Sequence, residues 1–401
     1  MTQQHERRVV IAGAVRTPIG AIGGGLAPLQ AVDLAERAIK GLFQQTGLDP
    51  AAVEYTTLGW VAQDPRATNM AKIAAERAGV PQTSPGTTLH ENCASGGAAM
   101  HDVARRILLG EIELGVAGGA ESMSNVPRYL FTGRLGGQLY GDMVLEDGLM
   151  GALRERELPD GEVLMGLMTE RIVERWGLSR EEQDRVAFDS HRHALAAWEE
   201  GAFDYVLPVE VPQRRGPPKI VTRDEGPKDL PMEYFAKARP YFKRDGGTVT
   251  SQNSSSINDA AAAVILTTPE RARALGLQVL AELRAWRNVG VERAFMGEGA
   301  FKVIPPLLER GGLRLGEVDF FEINEAFAAV LAAAYHFLPE LPREKVNRWG
   351  SGISLGHPVG CTGARQVVDM VWQLRRRGAR IGVTTRCVGG GIGSGEIVIL
   401  P

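Results

Sequence analysis

The sequence predicts an α/β fold interrupted by one long insertion, and three observations carry that reading. Short apolar runs with strand character alternate with amphipathic helical segments along most of the 401 residues. The alternation lapses between about residues 121 and 250, where Gly- and Pro-rich stretches surround one long charged helix. Finally, two distant stretches share one order: "CASGGAAMHDVARRILLGEIELGVAGGAESM" and "GHPVGCTGARQVVDMVWQLRRRGARIGVTTRCVGGGIG" both pass from small residues through a helix and a strand to a Gly-rich turn. An internal duplication would produce that repeat. It divides the chain into a first half, 1–270, holding the insertion at about 121–250, and a second half, 271–401.

Each element has its own local reason. Strands are expected where β-branched and apolar residues run together between turn signals: 7–15, 53–61, 86–90, 113–120, 261–268, 318–323, 380–385 and 396–400. Helices fit at 31–46, 69–78, 93–109, 269–275, 301–310, 324–337 and 360–377. The charged helix of the insertion, "SREEQDRVAFDSHRHALAAWEEG", opens with a capping box, Ser179 with Glu182.

Bulk composition removes several function classes. The formal net charge is −3 with no long run of one sign, and the densest basic cluster, "RRRGAR", sits where a helix C-terminus would. Nucleic acid is therefore not the expected ligand. No stretch reaches the roughly 18 to 20 apolar residues a membrane span needs. The apolar run after the N-terminal basic pair is short and broken by Gly13 and Arg16, so it reads as a first strand rather than a signal peptide. Three cysteines far apart make no disulfide framework and suit a reducing cytoplasm.

Chemistry concentrates in four places. Cys93 stands where a helix is about to start; free N–H groups and the helix dipole there favour a thiolate, although cysteine is also an ordinary small core residue. Cys387 ends an apolar strand, and Gly389, Gly390 and Gly391 after it let backbone approach a ligand and present N–H groups. His357 lies in a Gly-rich loop just before a helix. Its i,i+4 neighbour Cys361 has no further ligands nearby, so no metal site is expected. "GISLG" matches a hydrolase nucleophile elbow in form, but only His357 follows it, three residues after the serine, which is the wrong order for that triad. Asn324 closes a strand, where it is either an N-cap or a site residue.

Taken together, "ENCASGG", "GGAESMS", "ARPYFKRDGGTVTSQNSSSINDAAAAV", "NEAFA", "GHPVGCTGAR" and "CVGGGIG" resemble the signatures of the thiolase family, in order and over nearly the whole chain. Cys387 separates the chain from ketoacyl synthases, which carry histidine there, and Asn324 separates it from sterol-carrier-type thiolases. The resemblance implies a five-layered α-β-α-β-α fold of two duplicated halves with an inserted loop domain. It implies CoA-dependent cleavage of 3-ketoacyl-CoA and the reverse condensation of acetyl-CoA, with CoA thioesters as substrates and no cofactor. Cys93 would be the nucleophile, His357 its activator and Cys387 the acid/base. His357 with a water on Asn324 would form one oxyanion hole, and the N–H groups of Cys93 and Gly389 the other. Ser255, Lys228, Met165 and Phe327 would contact substrate. A homodimer or homotetramer is implied, and a non-catalytic CoA-binding paralogue is the alternative. Leu164 replaces a histidine usual in biosynthetic members, and "GHPVGCTGARQV" leans toward the long-chain degradative ones.

Overall fold

A computed structural model describes residues 7–131 and 140–401; residues 1–6, ahead of the expected first strand, and 132–139, within the expected insertion, lie outside it. Nine strands form the path of one large sheet: β1 (Val10–Arg16), β2 (Tyr55–Gly59), β3 (Gly86–Leu89), β4 (Leu114–Ser122), β5 (Asn258–Thr267), β6 (Ala281–Gly290), β7 (Phe320–Ile323), β8 (Ile381–Val388) and β9 (Ile392–Ile399). Their order is β7-β8-β9-β6-β1-β5-β4-β2-β3, and a two-residue strand, Gly20–Ala21, pairs with β5.

The order repeats itself. In the first half β3 and β2 are parallel, as are β2 and β4, while β4, β5 and β1 follow antiparallel. In the second half Val346 bridges Phe321 in parallel, β7 and β8 are parallel, and β8, β9 and β6 follow antiparallel. The halves meet at a short seam of two residue pairs between β1 and β6.

The longer helices around these strands are α1 (Ala31–Thr46), α2 (Met70–Arg77), α3 (Ser95–Leu109), α4 (Met165–Trp176), α5 (Arg180–Glu199), α6 (Ile304–Gly311), α7 (Ala328–Phe337) and α8 (Thr362–Arg377). The reason for the layering is visible in β5, an apolar run buried on both faces. Its Ala261, Ala263 and Ile265 pack with Leu34, Ile39 and Met70 of α1 and α2. The alternate residues, Ala262, Val264 and Leu266, pack with Met100 and Val103 of α3 and Val367 and Val371 of α8. On the outer face of the second half, Phe321, Val383 and Ile397 pack with Ile172 of α4, Leu307 of α6 and Val330 of α7. Helices, the strands of the first half, the paired central helices, the strands of the second half and helices make five layers.

The central pair is close because α3 begins with glycines. A Cβ on Gly96 would lie 2.8 Å from the Ala364 amide nitrogen and 3.0 Å from the Gly360 carbonyl, both backbone. Gly96→Val therefore has to part α3 from α8, and we expect a loss of about 1–3 kcal/mol, read as a lowered thermal midpoint.

The capping box of α5 is present, with Glu182 N donating to Ser179 Oγ and Ser179 N to Glu182 Oε2. Strand β6 lies outside the expected strands. Two helix starts are corrected. The helix expected from Cys93 starts at Ser95, and that expected from Asn324 starts at Ala328, so Asn324 is not its N-cap.

Candidate active site

The two Gly-rich turns and the ends of β4 and β8 converge on a cleft of about 710 Å³, counted out to its open mouth. Cys93, His357, Cys387 and Gly389 line it, and so do Met165, Ser255 and Phe327. The rest of the wall is mostly apolar: Val61, Val126, Leu149, Leu153, Met296 and Val359. Asn324 is fully buried and is not among the lining residues; a Cβ on Gly352 would stand only 2.8 Å from its Oδ1. Both polar atoms of its side chain lack a partner among the described residues. Lys228 is not brought to the cleft. It is exposed, and its backbone N–H reaches Nδ1 of His191 at 3.3 Å.

Cys93 is set by a tight turn rather than by the helix. Asn92 takes a positive φ of 45°, its side chain donates to the Gly389 carbonyl at 2.8 Å, and Ala94 N donates back to Glu91 O at 3.0 Å. The glycines opposite are required by conformation and by space. Gly390 and Gly391 have φ of 91° and 80°, while a Cβ on Gly389 would press on Met165 and Asn92 at 3.2 Å. The backbone N–H groups of Gly389 and of Cys93 itself both act to lower the Cys93 thiol. These are the two amides that the family resemblance implies for an oxyanion hole.

The thiolate that a helix start favours is not the resting form of Cys93. Burial pushes the Cys93 thiol up to about 11, against the pull of those two amides. Burial, then the neighbouring Cys93, pushes Cys387 further up. Both sulfurs therefore rest protonated, desolvation outweighing the pull of the two amides.

A base is close at hand. Burial, then Arg365 and Arg386, hold His357 down to about 3, so the imidazole is neutral. Its tautomer follows from the neighbours. Thr362 Oγ1 donates to the Pro358 carbonyl at 3.0 Å, which leaves that oxygen to accept from His357 Nδ1 at 2.7 Å. The ring proton is thus on Nδ1, and Nε2, buried and unpartnered among the described residues, carries a free lone pair. Thr362 and Asn258, whose Oδ1 accepts from His357 N at 2.9 Å, went unremarked in the sequence, as did Glu121 and Glu325. Glu121 was legible as a lone charge inside the apolar "VAGGAESM", and Glu325, with Glu322, as one of two charges inside "FFEINEAF".

No group of three or more His, Cys, Asp or Glu side chains among the described residues is arranged to hold a metal, and no helix there is long and apolar enough to cross a membrane.

Comparison with known proteins gives the same picture. The thiolase N-terminal domain matches residues 9–270 and the thiolase C-terminal domain residues 277–400. A Staphylococcus epidermidis protein named probable acetyl-CoA acyltransferase is 40% identical over 397 residues, 98% of each chain. The crystal structure of the Bacillus anthracis acetyl-CoA acetyltransferase is 39% identical, covers 99% of both chains and superposes with a TM-score of 0.94. That of human mitochondrial 3-ketoacyl-CoA thiolase in complex with CoA is 33% identical, covers 98% of both and gives 0.93. With two thiols and a histidine meeting in a cleft of this five-layered fold, the chain belongs to the thiolase family.

Proposed function

We propose that this cleft carries out thiolytic cleavage of 3-ketoacyl-CoA and, in reverse, the Claisen condensation of acetyl-CoA, with the acyl group held on Cys93 between half-reactions. One observation carries the reading: two protonated thiols and a neutral imidazole with a free lone pair line one apolar cleft.

The protons balance through both halves. In cleavage the Cys93 sulfur attacks the C3 carbonyl and its proton passes to His357 Nε2. The amides of Cys93 and Gly389 receive the tetrahedral oxyanion. As the C2–C3 bond breaks, the Cys387 thiol protonates C2 of the departing enolate, whose oxygen is held by His357 Nε2–H and a water on Asn324. The Cys387 thiolate then takes the proton of incoming CoA. The resulting CoA thiolate attacks acyl-Cys93, and the released sulfur recovers its proton from His357. CoA thioesters are substrates throughout, and no step calls for a metal or redox group.

Met165, Ser255 and Phe327 are proposed to contact substrate from the cleft wall, and Lys228 to meet the nucleotide end of CoA outside it. The assembly is proposed to be a homodimer or homotetramer, as the family resemblance implies. A cytoplasmic location is proposed from the three free thiols.

The apolar wall supports acyl groups longer than acetyl. Measured with CoA over a series from acetoacetyl-CoA to long-chain 3-ketoacyl-CoA, cleavage is expected to persist as the chain lengthens. Cleavage confined to acetoacetyl-CoA would contradict that preference, and no cleavage at any length would contradict the function.

A further inference from the structure

The loop that carries His357, residues 351–361, is held at both ends by buried carboxylates that take no part in the scheme above. At its far end Gly360 N donates to Glu121 Oε2 at 2.8 Å. The same oxygen accepts from Val61 N and the other, Oε1, from Ala62 N, each at 3.1 Å, so this side chain also fixes one wall of the cleft. At the near end Ile353 N donates to Glu325 Oε2 at 3.4 Å. Ser190 Oγ of α5 donates to that oxygen at 2.6 Å, and Asn347 Nδ2 donates to Oε1 at 2.7 Å. Asn347 in turn brackets Ile323, accepting from its N–H and donating to its carbonyl at 2.9 Å. Asn324 is thereby gripped from both sides, between Ile323 and Glu325.

We propose that Glu121 and Glu325 are positioning residues, each acting through its ionised carboxylate to fix the two ends of the 351–361 loop and so the placement of His357 and Asn324. The argument is one of donor count. Every oxygen of both carboxylates already accepts an N–H or O–H; four of the six donors are backbone N–H groups that cannot turn round and accept, and the Asn347 amide is held the same way round by its two bonds to Ile323. A carboxylic acid or a side-chain amide in either place sets a donor against a donor and releases one anchor. Both side chains are essentially inaccessible to water, which leaves the released groups without a substitute.

The charges around each site favour its release in acid. Burial raises Glu121 to about 7 against its three amides, with Asp259 of β5 adding to the rise; the thiols of Cys93 and Cys361 also feel its charge. Burial likewise raises Glu325 to about 7, with Glu322 of β7 adding to it. The cavity behind Glu325 is lined by Asp189 and His193 of α5, Tyr335 of α7 and Arg343. Activity should thus fall as pH drops through about 7. Stability moves the other way: each folded-state value lies above the ordinary 4.5, so between those limits the folded chain holds protons that the unfolded chain has lost. The contribution of both groups to stability then grows as pH falls from about 7, and an acid loss of activity is separable from acid unfolding.

The inference rests on the proposed roles of His357 and Asn324, and the test keeps the two apart. Glu121→Gln, Glu325→Gln, Ser190→Ala and His357→Ala are compared with the wild type for kcat and KM of thiolysis between pH 5.5 and 9, as ~half-unit steps around the expected limb, alongside thermal midpoints. Both Gln variants are expected to lose about 10- to 100-fold in kcat at pH 8 with KM little changed. Each should also flatten the acid limb of the pH profile. Glu325→Asp should recover part of the loss. Ser190→Ala, which removes one donor and leaves the carboxylate, gives a smaller loss and stands in if Glu325→Gln does not fold. Gln variants and Ser190→Ala that fold and keep the wild-type kcat and acid limb, while His357→Ala is inactive, overturn the proposal alone. Full activity in His357→Ala overturns the reading of the site beneath it.

Discussion

Cys93→Ala is expected to leave a folded protein that neither cleaves 3-ketoacyl-CoA nor condenses acetyl-CoA, with turnover down at least about 10⁴-fold. The size follows from the scheme. Both half-reactions pass through a thioester on this sulfur, and none of the other groups in the cleft can carry the acyl chain in its place. Cys387 is the only other thiol of the cleft, and burial beside Cys93 keeps it more firmly protonated. The fold should tolerate the change, because Cys93 stands outside α3 and the turn is held by Asn92, whose side chain bonds the Gly389 carbonyl. Retained turnover in this variant would remove the nucleophile from the account. The wild-type thiol should also alkylate slowly at neutral pH and faster as pH rises toward about 11, since His357 is too weak a base to hold its proton at rest.

The second large effect separates the two thiols. Cys387→Ala is expected to accept an acyl group on Cys93 from acetyl-CoA at a rate near that of the wild type, yet to lose about 10²- to 10⁴-fold in condensation and in cleavage. Acylation from a simple thioester needs only the Cys93–His357 pair and the two amides. Carbon–carbon bond making and breaking also need a proton moved at C2, and in this cleft Cys387 is the group left to move it. The measurement is single-turnover release of CoA against steady-state turnover. Loss of acylation in a folded variant would show that the roles are not divided this way.

How much of this was legible in the sequence varied with the kind of force involved. Strand β5 and the helix α1 were readable because burial on both faces, or along one stripe, leaves an apolar pattern in the chain. Strand β6 was not. Its Arg284, Arg287 and Asn288 face solvent because it pairs with β9 along its length but with β1 through two residues only. Asn324 looked like a helix start because the apolar helix follows closely. Its N–H still donates to Thr385 O at 2.8 Å, and Ser255 N to Ala326 O and Ala328 N to Asn253 O hold the next residues extended until Ala328. Those are contacts between segments far apart in sequence, which local patterning does not record. The thiolate expected at Cys93 failed for a related reason: a helix terminus is a local feature, whereas desolvation depends on everything packed around the sulfur. The thiols, His357 and Gly389 were legible as types in motifs, but the proton positions that make them a set required the neighbours Thr362 and Asn258.

The central claim is that the acyl group rests on Cys93, and the most direct measurement is to quench the wild-type enzyme in acid during turnover of a 3-ketoacyl-CoA and locate the acyl mass by peptide analysis. The account predicts the shortened acyl group on the peptide carrying Cys93, lost on adding CoA. Turnover with no acyl group on that peptide, or with the group on Cys387 instead, would contradict it.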